Sequence, residues 1–240
     1  MNLLIDIGNS LVKYLYESDG HLSEVKLLRH EELDQIFISS TFRKTTKIVF
    51  ASVADNKVAK ELLQLAKKAG INIYQVTSER KRGTLINAYP EYHRLGVDRW
   101  LALVAAITHY PQKNCLIIDA GTATTLDLLS ANGEHLGGWI IAGIELMQQS
   151  LLTKTAKIKG QNLSVGNLSF ASNTADNIKH GSLASTIGTI HLAIKQADNN
   201  LFSLDKVILT GGNAALIAQY VSVPIVVDEK FVFKGLQQYI

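Results

Sequence analysis

Two short stretches of this sequence place an aspartate, a glycine and small polar residues in the same order. The first runs from Asp6 to Lys13 and contains Gly8, Asn9 and Ser10. Backbone N–H groups around a glycine-containing turn bind anions, and a serine hydroxyl and a lysine can neutralise phosphate oxygens. Asp6 would face the same oxygens through a divalent metal. The stretch therefore predicts a phosphate-binding hairpin tip; an ordinary hairpin stabilised by Asp6 and Asn9 is the alternative.

The second stretch, 119–125, repeats the order of acid, glycine and small polar residues between two apolar strands. Such a repeat is expected of duplicated domains that carry two facing hairpins. The two hairpins would hold the β- and γ-phosphates of a nucleotide between them, the first through the residues around Gly8 and the second through Gly121 and Thr122. The turn at Gly211 and Gly212 would allow close backbone approach to the nucleoside. The pair predicts phosphoryl transfer, in which enzymes mainly supply positioning and charge neutralisation.

A kinase also needs a general base for the acceptor alcohol, and Asp98 is the candidate. Gly96 permits close approach of a ligand, Asp98 can accept a hydrogen bond from an alcohol, and Arg99 can bind an acidic group. However, Asp98 also stands just ahead of an apolar helix that starts near Trp100. A capping or first-turn role, favoured by the helix dipole without any catalysis, is the alternative.

Three further polar residues each admit two interpretations. Tyr89 could line a pocket or pack under its loop, Thr174 could contact substrate or cap the helix that follows, and Asp119 could coordinate a cation or stabilise its own turn. The sequence contains no Gly-x-Ser-x-Gly elbow and no Gly-x-x-x-x-Gly-Lys-Ser/Thr loop, which excludes the usual hydrolase and P-loop classes.

The elements that position these residues alternate between strands and helices, which predicts an α/β layer structure. Gly70 is placed to end the second helix as a C-cap. A boundary between two halves is expected near residues 110–114, which gives domains 1–112 and 113–240. The predicted strands are 2–5, 11–16, 22–28, 47–53, 71–76, 116–118, 126–129, 139–141, 206–209 and 224–227, and the predicted helices are 31–37, 55–69, 100–107, 143–152, 173–197, 214–220 and 231–239.

The composition is that of an ordinary globular protein, with 47% hydrophobic and 19% charged residues in a chain of 240. A net charge of +3 gives no argument for a nucleic-acid surface. The single cysteine, Cys115, lies in an apolar run and is expected to be a buried small hydrophobe. The apolar runs are too short for a signal sequence or a membrane span, so we expect a cytoplasmic protein with no nucleic-acid or membrane partner.

Taken in order, these motifs resemble those of type III pantothenate kinases, members of the acetate and sugar kinase, heat-shock protein and actin superfamily. The first phosphate motif of that family, Asp-x-Gly-Asn-Thr/Ser-x-x-Lys, matches 6–13, and the second, Asp-x-Gly-Thr-Ala-x-Thr, matches 119–125. A tyrosine seven residues ahead of Gly-x-Asp-Arg matches Tyr89 and 96–99. Asn-Thr at 173–174 and Thr-Gly-Gly-Asn at 210–213 extend the match over nearly the whole chain.

The resemblance implies an α/β fold of two duplicated actin-like (ribonuclease H-like) domains with a nucleotide cleft between them. It implies ATP-dependent phosphorylation of pantothenate to 4′-phosphopantothenate, the first step of coenzyme A biosynthesis. It also implies a homodimer that uses Mg²⁺ with ATP and a monovalent cation, K⁺ or NH₄⁺.

The resemblance also assigns roles to residues at matching positions. Asp98 is the implied catalytic proton acceptor, and Asp119 is the implied ligand of the monovalent cation. The implied pantothenate-binding residues are Tyr89, Gly96, Val97, Asp98, Arg99 and Thr174. The implied ATP-binding residues are Asp6, Ile7, Gly8, Asn9, Ser10, Leu11, Val12, Lys13 and Thr122.

Two departures from the family pattern stand out. Ser10 replaces the commoner threonine and keeps its hydroxyl, while Ala142 stands where the family often has proline, which predicts a changed loop. Two rival functions remain open: a superfamily kinase for another small hydroxy acid or sugar, and a non-catalytic regulator built on the same scaffold.

Overall fold

The structure, a computed structural model, describes residues 1–53, 56–154, 166–199 and 202–240. It divides into two compact units. The first contains Met1–Pro111, Asn132–His135 and Lys230–Ile240, and the second contains Gln112–Ala131 and Leu136–Glu229. The domains expected from the sequence, 1–112 and 113–240, differ from these units in where two short segments belong: residues 132–135 and 230–240 group with the first unit.

The elements up to residue 111 form the body of the first unit. Three 3₁₀ turns, His30–Glu32, Phe42–Lys44 and Tyr92–Arg94, lie between them. The strands are β1 (Asn2–Ile7), β2 (Val12–Ser18), β3 (His21–Leu22), β4 (Lys26–Leu28), β5 (Lys47–Ser52), β6 (Asn72–Gln75), β7 (Lys81–Arg82) and β8 (Leu85–Ile86), and the helices are α1 (Gln35–Ile38), α2 (Asn56–Ala69) and α3 (Val97–His109).

The elements after residue 111 build the second unit, except for the last helix, which returns to the first. The strands are β9 (Cys115–Ala120), β10 (Ala123–Leu129), β11 (His135–Ala142), β12 (Lys206–Thr210) and β13 (Ile225–Val227), and the helices are α4 (Ile144–Lys154), α5 (Thr174–Asn199), α6 (Ala214–Ile217) and α7 (Phe231–Gln237).

Each unit contains one main sheet, and the two sheets repeat the same strand order. The first is β3-β2-β1-β5-β6, with β4 also pairing with β2, and the second is β11-β10-β9-β12-β13. In the first sheet, β1 pairs antiparallel with β2 and parallel with β5. In the second sheet, β9 likewise pairs antiparallel with β10 and parallel with β12. The duplication that the two motifs predicted is thus present in the backbone topology.

The central strands are apolar on both faces because helices cover both sides of the first sheet. Leu3, Ile5 and Ile7 belong to a core cluster that includes Leu62 and Ala66 of α2. Leu4 alternates to the opposite face and is fully buried, and on that side α3 and α7 contact β5. In the second sheet, apolar residues of β9 and β12 pack against Leu183, Ile187 and Ile190 of α5.

Several element predictions differ from the structure in detail. The strand expected at 22–28 is two short strands, because the Ser23 N–H and hydroxyl both bond the Tyr16 backbone at the break. The helix expected at 31–37 is a 3₁₀ turn followed by α1, and the β7–β8 hairpin lies in a stretch for which no strand is predicted. Asp55, the expected start of the second helix, lies outside the described residues.

Two local predictions are confirmed. Gly70 follows the last residue of α2 at φ +66°, the left-handed conformation that a glycine C-cap adopts. Cys115 is fully buried, and burial, reinforced by the nearby Asp205 carboxylate, raises the pKa of its thiol to about 12. The thiol therefore stays protonated and unreactive near neutral pH.

Among the helices of the described chain, none has the length and apolar character needed to cross a bilayer.

The C-terminal segment is fixed to the rest of the first unit by a partly buried polar network. The Trp100 Nε1–H donates to the Tyr239 hydroxyl at 2.9 Å, and that hydroxyl donates to Glu79. The Arg82 guanidinium lies 3.7 Å from the centroid of the Tyr239 ring. Burial, reinforced by the bond to Glu79, raises the pKa of Tyr239 far above its usual range, so its hydroxyl remains a donor.

We expect Tyr239→Phe to destabilise the first unit. Trp100 is fully buried, so losing the hydroxyl leaves its indole N–H without this acceptor, at a cost of about 1–3 kcal/mol. Urea unfolding followed by tryptophan fluorescence measures the loss. Tyr74→Phe is the matched control because Tyr74 is 48% exposed. A Tyr239→Phe variant no less stable than this control would show that the network does not stabilise the C-terminus.

Candidate active site

The first polar hairpin of the sequence is the β1–β2 connection, as expected. Asp6 and Lys13 are directly opposite each other in the antiparallel register, and the Gly8 N–H donates to the Leu11 carbonyl at 3.0 Å to close the tip. Opposite charges at such positions stabilise a hairpin and also place an acid and a base side by side below the turn. His30, which the sequence did not indicate, donates from Nε2 to the Gly8 carbonyl at 2.9 Å.

The residues of this tip divide into an anchored pair and an exposed set. Ile7 and Val12 pair with each other, and both side chains are fully buried in the core. Asn9, Ser10 and Leu11 are exposed at the turn between them. The buried pair therefore holds the turn in place, and the exposed residues are those that could contact a ligand.

The second polar hairpin, β9–β10, repeats this geometry with a shorter tip. Asp119 stands opposite Thr125, and the Gly121 N–H donates to the Ala123 carbonyl at 3.0 Å, which leaves Thr122 exposed between them. Asp119 occupies the same position before its glycine as Asp6 does, but its cross-strand partner is a threonine instead of a lysine. The two hairpins are therefore similar in backbone and different in charge.

Two glycines allow the backbone of the second unit to pack closely around this hairpin. Gly211 follows β12 at φ +92°, and a Cβ there would lie 2.5 Å from Asp119 Oδ1 and 2.6 Å from the Ala120 carbonyl oxygen. Gly143 follows Ala142 at the end of β11 and donates to the Thr122 carbonyl at 3.0 Å, and a Cβ there would overlap the Gly121 carbonyl. The Asp119 carboxylate therefore faces a turn that only glycine can form.

A third group of predicted residues surrounds the start of α3. Gly96 is the N-cap, and Asp98 lies in the first turn with Oδ1 accepting the Arg99 N–H at 2.8 Å. A Cβ on Gly96 would lie 2.5 Å from the same oxygen, so glycine leaves room for the carboxylate. The first-turn position predicted as the alternative is thus observed. It leaves the catalytic interpretation open, because the helix dipole also favours an ionised carboxylate there.

Arg99 and Tyr89 are brought together in this group. The Arg99 side chain is only 5% exposed, and its Nη1 donates to the Tyr89 hydroxyl at 3.0 Å. Tyr89 is half-buried, and its N–H donates to Asn87 Oδ1 at 2.9 Å. Asn87 is itself buried, and it was missed because a single Asn in a polar segment carries no distinguishing pattern.

Thr174 is the first residue of α5 and belongs to the second unit. The capping role considered for it belongs to Asn173 instead. Asn173 Oδ1 accepts the Asp176 N–H at 2.9 Å, while its Nδ2 donates to the Asp176 carboxylate at 2.8 Å. The first bond is that of an N-cap side chain to a first-turn N–H, and the second joins the two side chains and steadies the cap. Thr174 is exposed beside this cap.

The donor set fits a nucleotide that brings its own metal. Within the described ranges, no three His, Cys, Asp or Glu side chains are grouped so that they could hold a metal ion. Mg²⁺ is characteristically bound by one or two carboxylates together with substrate phosphates, which needs no such cage. A single aspartate beside each glycine turn matches that requirement.

An apolar cavity of about 390 Å³ in the second unit shares no lining residue with the predicted site. Leucines of β9 and β10, Trp139 of β11, and Phe202 line it. Among the described residues that line it there is no acid and no lysine, and its two glycines, Gly137 and Gly138, lie within β11, so we do not assign the reaction to it.

Comparison with known proteins agrees with the motifs. The family model for type III pantothenate kinase matches residues 2–196. A type III pantothenate kinase from Colwellia psychrerythraea is 41% identical over 249 aligned residues, which cover the whole of both chains. The family expected from the sequence is confirmed, and with it the expectation that the chain is a kinase.

Solved structures agree with the fold. A Campylobacter jejuni protein assigned to the Baf family of transcriptional activators is 27% identical, with a TM-score of 0.63 over 98% of this chain and 96% of that one. MreB5 of Spiroplasma citri, solved with ADP, is 13% identical, with a TM-score of 0.52 over 99% and 95% of the two chains. The second similarity concerns the fold alone, and it confirms the predicted actin-like class. The family model covers the chain from β1 through most of α5, and the relative from Colwellia psychrerythraea matches over its full length. The chain therefore belongs to the type III pantothenate kinase family.

Proposed function

We propose that this chain transfers the γ-phosphate of ATP to the hydroxyl of pantothenate, which gives 4′-phosphopantothenate in the first step of coenzyme A biosynthesis. Family membership supports the reaction, and the group at the start of α3 supports the way it is performed. The observation that carries the proposal is the buried Arg99 guanidinium bonded to Tyr89, one residue from Asp98. Pantothenate is a carboxylate with a primary alcohol, so it needs a cation and a base close together.

We assign the acceptor chemistry to the residues around α3. Asp98 accepts the proton of the pantothenate hydroxyl as its oxygen attacks phosphorus, which is general-base catalysis. Arg99 and Tyr89 bind the acidic and polar end of the substrate, and the backbone at Gly96 and Val97 lets it approach the helix start. Thr174, whose side chain is exposed at the start of α5, is proposed as a further pantothenate-binding residue.

ATP binding is assigned to the two hairpins. In the first, the exposed tip residues Gly8 to Leu11 present backbone N–H groups, the Ser10 hydroxyl and the neighbouring Lys13 ammonium to phosphate oxygens. In the second, Thr122 offers a hydroxyl and backbone at an equivalent turn. Asp6 would hold Mg²⁺ together with the phosphates, and the ion would neutralise phosphate charge. We further propose that the protein acts as a homodimer in the cytoplasm, where ATP is supplied.

The proposal is tested by an ATP-consumption assay with a panel of acceptors. We expect turnover with pantothenate and none above background with other small hydroxy acids or sugars. Preference for another acceptor would favour the rival kinase function. Light scattering of the same preparation would test the proposed homodimer.

A second candidate function, non-catalytic regulation, is favoured by the similarity to the Baf family protein of Campylobacter jejuni. A binding-only protein has no need to keep Asp98 and Arg99 at the start of α3 as well as Lys13 in a phosphate-binding hairpin. Pantothenate binding, measured by calorimetry, without ATP consumption would support regulation over catalysis.

Asp119 is proposed as the ligand of a monovalent cation, K⁺ or NH₄⁺. Asp119 is half-buried near the end of β9, and its carboxylate and the Ala120 carbonyl oxygen both lie against the Gly211 turn. Oxygen ligands of this kind distinguish K⁺ from Na⁺ through the size of the site and the number of oxygens. We therefore expect replacement of K⁺ by Na⁺ to lower turnover several-fold.

The Asp119→Asn variant should lose this response, so that its turnover is low and similar in both salts. Asp198→Asn is the matched control, because Asp198 is an exposed acid of the same unit, near the end of α5. It should respond to K⁺ as the unmodified protein does. Equal rates in K⁺ and Na⁺ for the unmodified protein would rule out the cation site.

A further inference from the structure

His135 is a buried histidine for which the proposed reaction has no use. It is 3% exposed and begins β11, yet it groups with the first unit and not with the rest of its strand. Buried polar side chains of this kind are normally hydrogen-bonded. Its Nδ1 accepts a long hydrogen bond, 3.4 Å, from the Ala88 N–H, the residue immediately before Tyr89.

The segment that carries His135 is fixed to the first unit by its backbone. The Ile86 N–H donates to the Gly133 carbonyl at 2.9 Å, and Ile86 and Glu134 form a parallel β-bridge. Gly133 has φ +87°, and a Cβ there would lie 2.6 Å from the Thr84 carbonyl oxygen. Residues 132–135 therefore continue the β7–β8 ribbon up to the Tyr89 loop, which gives His135 a defined position.

The His135 ring lies parallel to the Tyr89 ring. The ring centroids are 6.3 Å apart and the planes differ by 9°, an offset stacked pair. Tyr89 is thus held at three points: its N–H by Asn87, its hydroxyl by Arg99 at 3.0 Å, and its ring by His135. Asn87 is two residues from Tyr89 in the sequence, and Arg99 belongs to the candidate site itself. His135, in contrast, comes from a distant segment of the sequence.

We propose that His135 is a positioning residue for the acceptor site. Its ring supports Tyr89 in the orientation that bonds Arg99, so that both side chains are ready before pantothenate arrives. Pre-ordering of binding side chains raises affinity by removing the cost of ordering them on binding. The inference rests on the proposed function, in which Tyr89 and Arg99 bind pantothenate.

Steady-state kinetics of three His135 variants test this role. His135→Ala and His135→Leu remove the aromatic face and should raise the KM for pantothenate about tenfold, as expected for loss of an aromatic pair, while leaving the KM for ATP unchanged. His135→Phe keeps the face and should stay within about twofold of the unmodified protein. The leucine variant fills the buried volume, so it guards against a failure to fold. His21→Ala, at an exposed histidine of the same unit, is the control.

A double-mutant cycle with Tyr89→Ala separates positioning from an independent effect. If His135 acts through Tyr89, adding His135→Ala to Tyr89→Ala raises the KM for pantothenate no further. If the KM for pantothenate in the double variant rises by the product of the two single-variant factors, the inference is overturned. An equal rise in the KM for ATP, or a His135→Phe variant as poor as His135→Ala, would also overturn it. An unchanged KM in Tyr89→Ala itself would instead contradict the proposed role of Tyr89, so the two failures are distinguishable.

Discussion

Asp98→Asn is expected to lower kcat by about 10²–10⁴-fold, the usual contribution of a positioned general base. The amide keeps the shape of the side chain and an oxygen that can accept the Arg99 N–H at 2.8 Å, so the start of α3 is retained. What it loses is the ability to accept the proton of the substrate hydroxyl. The KM values for ATP and pantothenate should change little, because the loss falls on the chemical step.

The same variant decides between the two roles considered for Asp98. If the carboxylate only supports the helix start, its neutralisation costs about 0.3–1 kcal/mol of stability and leaves turnover intact. Kinetics and urea unfolding on one preparation measure both quantities. Asp19→Asn is the matched control, since Asp19 is an exposed aspartate at φ +51°, a conformation that asparagine tolerates. Near-normal kcat in Asp98→Asn would remove the catalytic assignment.

Arg99→Leu is expected to raise the KM for pantothenate by about 30-fold or more, since truncating a buried hydrogen-bonded charge costs about 2–5 kcal/mol of binding. The guanidinium is buried and bonded to Tyr89, so leucine removes the charge and also leaves the tyrosine hydroxyl without this donor. Arg99→Lys should recover only part of the loss, because an ammonium lacks the planar fork. Steady-state kinetics with pantothenate as the varied substrate measure both variants.

Arg94→Leu provides the control for Arg99 from the same stretch of chain. Arg94 pairs with Glu91 at 2.7 Å, but its side chain is 69% exposed, and exposed ion pairs contribute little. Its KM for pantothenate should match that of the unmodified protein. An Arg99→Leu variant with a normal KM for pantothenate, or with an equal rise in the KM for ATP, would show that Arg99 does not bind the acceptor.

The hairpins and the alternation of strands and helices could be predicted because they depend on local sequence. An aspartate, a glycine and small polar residues between apolar strands leave the chain few conformations other than a tight turn. The repeat of that pattern indicated the duplication, which the matching strand orders confirm. The break in the third strand was not predictable, because it depends on Ser23 bonding to Tyr16 across the sheet.

The parts of the site that the sequence missed depend on residues distant in the chain. His135 lies beside Tyr89 only because residues 132–135 pack on the β7–β8 ribbon. The return of α7 to the first unit likewise follows from packing on α3, where a Cβ at Gly235 would overlap the Leu101 carbonyl. No periodicity or motif in the sequence reports such contacts, since they arise after the local elements have formed.

Transfer of the labelled γ-phosphate of ATP to pantothenate is the measurement that tests the proposed function most directly. Purified protein, Mg²⁺, K⁺ and γ-labelled ATP are incubated with and without pantothenate, and the products are separated. We predict label in phosphorylated pantothenate, formed only when pantothenate is present and absent from the Asp98→Asn reaction on the same timescale. Label that stays in ATP, or that appears only as free phosphate at a rate independent of pantothenate, would contradict the assignment of this chain as an active pantothenate kinase.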